Sequence, residues 1–133
     1  MKRFFESWVF ILFFLIFIVV TLGLAIYFRL YYLFWWLDIL HHFLGGLWLV
    51  LFFNFSIKHF KIMLTGDWRA AAFFLTLIGL VALVGVGWEF FEFIWDRFIW
   101  HAGFTYLPGI YEDTLSDLFF DLLGGATGFV LVL

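Results

Sequence analysis

The sequence predicts an all-α integral membrane protein, a four-helix bundle with both termini on the cytoplasmic side. Composition is the first reason. Hydrophobic residues make up 67% of the 133-residue chain, charged residues only 13%, and mean hydropathy is +1.14. A soluble domain is about a quarter charged. The second reason is run length, because four apolar stretches each approach the roughly 20 residues that a helix needs to cross the hydrocarbon layer. No Pro/Ser-rich linker or charge block divides them, so residues 1–133 read as a single transmembrane domain.

The first span runs from about Trp8 to Phe28. No small-residue cleavage site interrupts it, and it is too long for a signal-peptide core, so it is expected to remain as an anchor. The second covers 38–55, the third 68–95 and the fourth 114–133. The third exceeds a straight crossing and is expected to tilt, protrude or loosen near Gly85 and Gly87. Lys2, Arg3, Lys58, Lys61 and Arg69 flank one side, against Arg29 and Arg97 on the other, which places the amino terminus and the 56–67 loop inside. Tyr27, Tyr31, Tyr32, Tyr106 and Tyr111 then gather on the outer side with Trp35, Trp36, Trp95 and Trp100, as aromatic anchors do at a headgroup boundary. The expected location is the cell inner membrane, as a multi-pass protein with the lipid bilayer as its partner and no nucleic-acid partner.

Against this apolar background, acidic residues concentrate in three segments. Asp38-Ile-Leu-His41-His42 opens the second span, Glu89-Phe-Phe-Glu92 lies near the end of the third, and Asp113-Thr-Leu-Ser-Asp117-Leu-Phe-Phe-Asp121 opens the fourth. The topology brings all three to one level. A charged side chain inside a bilayer costs about 2.5–3.5 kcal/mol on insertion scales, so such residues are kept where they pair, bind a cation or line a polar cavity. Helical spacing of three and four aligns Asp38 with His41 and His42, Glu89 with Glu92, and Asp113 with Asp117 and Asp121. At 1.5 Å per residue Asp121 lies about 12 Å deeper than Asp113.

The chemistry that fits is binding of a divalent metal, Zn, Mn or Fe. Imidazole and carboxylate donors from facing helices build such sites in bundle cores. The expected ligands are Asp38, His41, His42, Glu89, Glu92, Asp113, Asp117 and Asp121. His41 and His42 lie about 100° apart on a helix, so only one points straight inward, and His41, three residues from Asp38, is the first choice. Metal-bound water would supply a nucleophile, with a spare carboxylate or the second histidine as general base. Absence of cysteine excludes disulfides, thiolate ligands and thiol catalysis.

Plainer roles compete with ligation. Asp38 and Asp113 suit helix N-caps. Glu89 and Glu92 alternatively pair with Arg97 or Arg29. Asp96, Arg97 and Glu112 read as solvated loop charges and His59 as a solvated cytoplasmic one. Gly45-Gly46, Gly85, Gly87, Gly124, Gly125 and Gly128 read as close-packing positions. The Trp100–Tyr111 segment, with Pro108 and two glycines, suits a loop over the outer mouth.

Asp38, His41, Gly45 and Gly46, then Glu89 and Glu92, then Asp113, Thr114, Asp117 and Gly124 resemble, in order and spacing, the YjdF-like and VanZ-like groups of small bacterial inner-membrane proteins. The resemblance leaves the first helix unmatched, and His42 and Asp121 depart from the VanZ-like pattern. It implies a polytopic helical membrane protein and, for VanZ-like proteins, an association with glycopeptide resistance and the cell envelope. Three functions follow as expectations. One is a metal-dependent enzyme on a lipid-linked or envelope substrate at the outer leaflet. Another is a structural or assembly subunit, as a homo-oligomer or within a larger membrane complex. The third is cation- or proton-coupled transport, which the scarcity of polar residues toward the inner half disfavours.

Overall fold

The computed structural model describes residues 7–59, 69–101 and 103–133. It contains four long helices: α1 (Trp8–Tyr27), α2 (Trp36–His59), α3 (Arg69–Ile94, extended by a wider π-helical turn over Trp95–Trp100) and α4 (Ile110–Val132). Each is long and apolar enough to cross a membrane. Lys2, Arg3 and Lys61, three of the basic residues behind the expected orientation, lie outside the described residues.

The centre of the bundle is the parallel pair α2 and α4. Four residues apart on α2, His42, Gly46, Val50 and Asn54 are all buried, and on α4 Asp117, Asp121, Gly125 and Phe129 repeat the pattern. A side-chain carbon added at Gly46 would strike the backbone of Asp121, and one added at Gly124 the backbone carbonyl of Phe43. Only glycine permits this approach, and small residues are what membrane helices use to bring backbones together. Gly128 continues the seam, where an added carbon would lie 3.0 Å from the Leu47 carbonyl and 3.1 Å from Val50. Gly45 and Gly87, also expected to mediate close packing, instead face open space.

Helix α3 packs on this pair through Leu77 and Val81, which join Val50 and Phe129 in a buried cluster. Helix α1 is peripheral: it contributes Ile11 to a second cluster with Leu51 and Val132, and Trp48 Nε1 donates to its Ile11 carbonyl at 2.8 Å. Most of its large apolar side chains are exposed, as a helix surrounded by lipid requires.

Three boundaries differ from expectation. Helix α2 begins two residues before Asp38 and runs on to His59, so Asp38 sits in its first turn. Helix α4 starts at Ile110, because Leu107 is extended (ψ 144°) before Pro108, as a residue preceding proline must be, and Gly109 turns the chain at φ +88°. Asp113 therefore also lies in a first turn, and α4 has no side-chain cap. Helix α3 passes Gly85 and Gly87 without interruption; its loosening occurs at Trp95–Trp100, closed by a bond from the His101 amide to the Asp96 carbonyl at 3.0 Å.

Asp96 explains that location. It is not a solvated loop charge: it is 1% exposed and accepts from the Gly103 amide at 2.7 Å, the Thr105 amide at 2.9 Å and the Thr105 hydroxyl at 2.6 Å. Its carboxylate thus holds the start of the α3–α4 connection. Arg97 lies over the Tyr106 ring, 4.3 Å from its centroid, and adds a cation–π contact to the same clip.

Candidate metal centre

Because α2 and α4 are parallel, their amino-terminal halves share one end of the bundle, and antiparallel α3 brings its carboxy-terminal end there. Asp38, His42, Glu89, Glu92, Asp117 and Asp121 meet at that level. The amino-terminal ends of α2 and α4 also carry partial positive charge that favours nearby carboxylates.

His42 is the hub. Its Nε2 lies 3.9 Å from Asp38 Oδ1 and 4.0 Å from Asp117 Oδ2, and its Nδ1 lies 3.4 Å from Asp121 Oδ2. Asp38, His42 and Asp117 each offer one donor atom within 4.8 Å of the others, and His42, Glu89 and Glu92 do the same. Glu89 Oε2 accepts from the Thr114 hydroxyl at 2.9 Å. Thr114 was absent from the expected ligands, yet its spacing of three and seven from Asp117 and Asp121 places it on their face.

Acceptors outnumber donors here. Asp117 and Asp121 are 3% and 5% exposed, and Asp117 Oδ1, Asp121 Oδ2 and Glu89 Oε1 are buried without a hydrogen-bond partner. The His42 approach to Asp121 is close but lacks hydrogen-bond alignment. Among the described residues no ion pair joins Glu89 or Glu92 to Arg29 or Arg97, so the alternative of arginine pairing is not formed. Buried acceptors without donors are unfavourable by about 1–3 kcal/mol each, which is why a cluster of this composition calls for a counter-charge.

His41, the first choice for the inward position, turns the other way. Its Nδ1 is 3.0 Å from the Tyr31 hydroxyl and its Nε2 is 3.2 Å from Thr21 Oγ1. Thr21 already donates to the Phe17 and Ile18 carbonyls at 2.9 and 3.0 Å, so it must accept from His41 Nε2–H. Nδ1 is then the acceptor for Tyr31. Burial, reinforced by the carboxylates of Asp38 and Glu92, holds the Tyr31 hydroxyl well above its ordinary pKa, which keeps it a donor. Both nitrogens of His41 are occupied. Asp113, the other expected ligand outside the cluster, is exposed at its rim.

Beside the cluster runs a groove of about 240 Å³ between α1 and α3, floored by α2 and reaching Asp38, His42, Glu92 and Asp121 at its polar end.

A family model described as "Predicted membrane protein (DUF2238)" matches residues 2–133. The chain belongs to this family. No curated protein and no solved structure matches it.

Proposed function

We propose that this DUF2238 family member is a divalent-cation-binding protein of the inner membrane, and that its site serves metal-dependent chemistry on a lipid-linked or envelope substrate at the outer face. The observation that carries the reading is the set Asp38, His42 and Asp117, three donor atoms from two helices within 4.8 Å of one another. Tetrahedral metal–ligand bonds of about 2.0–2.2 Å place donor atoms roughly 3.3–3.6 Å apart, so the 3.9 and 4.0 Å separations from His42 Nε2 need to close by only a few tenths of an ångström around an ion. The mixed nitrogen and oxygen donors suit Zn, Mn or Fe. A cation there also supplies the partner that the buried Asp117 lacks.

In this arrangement each residue has a distinct task. Asp38 and Asp117 hold charge on two sides of the His42 imidazole. His42 presents Nε2 to them while Nδ1 lies 3.4 Å from Asp121 Oδ2, where a small rotation of the ring would let this carboxylate set the tautomer, as outer carboxylates do for metal-binding histidines. Thr114 fixes Glu89 with one oxygen free, which suits Glu89 to take a proton from water as a general base. When bound, a divalent cation supplies Lewis acidity and lowers the pKa of water. The arrangement of basic residues favours the outer face for this end of the bundle, and the resemblance to VanZ-like proteins agrees with an envelope role.

A conducting path is less well supported. Asn54 is the next buried polar residue along α2, about 18 Å from His42 at 1.5 Å per residue, and the fully buried Val50, Leu51, Leu77 and Val81 fill the core nearby.

Elemental analysis tests the proposal. The purified wild type is expected to carry Zn, Mn or Fe at about one equivalent, and the double variant His42→Ala with Asp117→Ala none. A wild type that purifies metal-free and takes up none of the three ions would overturn it.

A further inference from the structure

The groove between α1 and α3 joins an apolar channel to an acidic end. Its α1 wall is Leu15, Ile18 and Leu22, its α3 wall Val84 and Trp88, and its floor includes Gly45. On α1 the wall residues follow spacings of three and four, a single helical face. The packing explains why the groove exists: α1 rests chiefly on α2 and α3 chiefly on α4, so the flank between α1 and α3 stays unsealed. At about 240 Å³ it is smaller than the roughly 300–1,000 Å³ of pockets that enclose a drug-sized molecule. That size suits one hydrocarbon chain and excludes the body of a two-chain lipid.

Charge decides what the chain carries. The polar end is formed by Asp38, His42, Glu92 and Asp121, together with His41, whose two ring nitrogens are already engaged, and Asp117 and Glu89 lie immediately behind. No lysine or arginine pairs with these groups among the described residues. The cluster thus has five carboxylates and one imidazole, and a divalent ion offsets only two of the five formal charges. As long as more than two of these carboxylates stay ionised, an anionic headgroup meets net repulsion with or without a divalent cation. An ammonium group meets attraction in both cases, and its N–H donors match what the site lacks. Asp121, 5% exposed and part of the groove lining, has Oδ2 without a hydrogen-bond partner.

We propose that the groove holds one hydrocarbon chain of an amine-bearing membrane lipid, with the ammonium group against Glu92 and Asp121. The inference takes from the proposed function only the acidity of the site, which exists whether or not a metal binds.

Spin-label spectroscopy tests it. The protein is reconstituted in vesicles of equal phosphatidylethanolamine and phosphatidylglycerol, with a trace of either lipid labelled on one chain, and the immobilised fraction is measured with and without chelator. Wild type is expected to immobilise the ethanolamine lipid about fivefold more strongly than the glycerol lipid, the ratio of one part-exposed ion pair, and chelator is expected to leave that preference in place. Glu92→Gln should erase the preference. Gly45→Phe should remove the selective component for both lipids and leave the non-selective layer around the bundle; an added Cβ at Gly45 meets nothing within 4 Å, so the larger ring enters the groove rather than a neighbouring backbone. Leu22→Trp, filling the groove from the opposite wall, should do the same. Equal or stronger immobilisation of phosphatidylglycerol by wild type, or undiminished immobilisation by both filled variants, overturns the proposal. Because the readout is taken with metal removed, its failure is separate from failure of the metal site.

Discussion

Helix α2 presents two neighbouring histidines to two unlike regions of the molecule. Toward α1, His41 closes a short chain in which Tyr31 donates, Thr21 accepts, and Thr21 in turn donates to the carbonyls of its own helix. Toward α3 and α4, His42 faces carboxylates of which Asp117, Asp121 and Glu89 each keep one buried oxygen without a donor. One region is complete as built, and the other keeps buried oxygens without donors. A satisfied polar network reads as a fastening between helices, and an over-acidic one as a place for a ligand. Chemical type alone does not separate them, since both centre on an imidazole.

The strongest way to break this comparison is to remove the geometry that creates it. Gly124→Leu would drive a side chain into the Phe43 carbonyl, and because the obstacle is backbone neither helix can yield without separating. Overpacking of this kind costs about 1–3 kcal/mol and occasionally more, and with no flexible side chain to give way the upper end is expected. The variant should lose its monodisperse peak in detergent or melt far below wild type. Gly23→Leu on α1, where an added Cβ meets nothing within 4 Å, should behave as wild type. Equal tolerance of both changes would mean that α2 and α4 are not in backbone contact.

A smaller effect sharpens the contrast between the histidines. If His42 belongs to a metal site, added Zn, Mn or Fe at a hundredfold over Kd should stabilise wild type by about 2.7 kcal/mol, read as a rise in melting temperature that chelator reverses. His42→Ala should abolish the response and His41→Ala should retain it. The opposite pattern would make His41 the ligand and assign the fastening role to His42.

Much of this arrangement is legible in the sequence. Hydropathy alone shows four spans, and helical spacing brings together Asp38, Glu89, Glu92, Asp117 and Asp121, all of which converge in the structure. The choice between His41 and His42 depends on how α2 is rotated about its axis, which local spacing from Asp38 does not determine. The determining signal lies four residues on, where Gly46 abuts Asp121 and Gly45 faces open space; the glycine that packs marks the histidine that points inward. From sequence the two glycines are equivalent, and only the partner helix distinguishes them. Asp96 was misread for a related reason. Its partners, Gly103 and Thr105, lie seven and nine residues ahead in an irregular connection, where no helical or strand periodicity reveals a contact.

The smallest expected effect tests whether the two regions are independent. Tyr31→Phe removes the donor to His41 Nδ1 while keeping the ring, which meets the imidazole edge-on with centroids 5.8 Å apart. A hydrogen bond of this kind contributes about 1 kcal/mol net, and Tyr31 is only half-buried, so water can replace part of the loss. The melting temperature should fall slightly, and the shift produced by added metal should remain that of wild type, because the lost bond lies on the α1 side of α2. Tyr31 nevertheless feels the carboxylates of Asp38 and Glu92 through its raised pKa, so some electrostatic communication exists. A Tyr31→Phe protein with a weakened metal response would show that this communication matters to the site, and that the hydrogen-bonded chain toward α1 positions α2 for binding as well as fastening it.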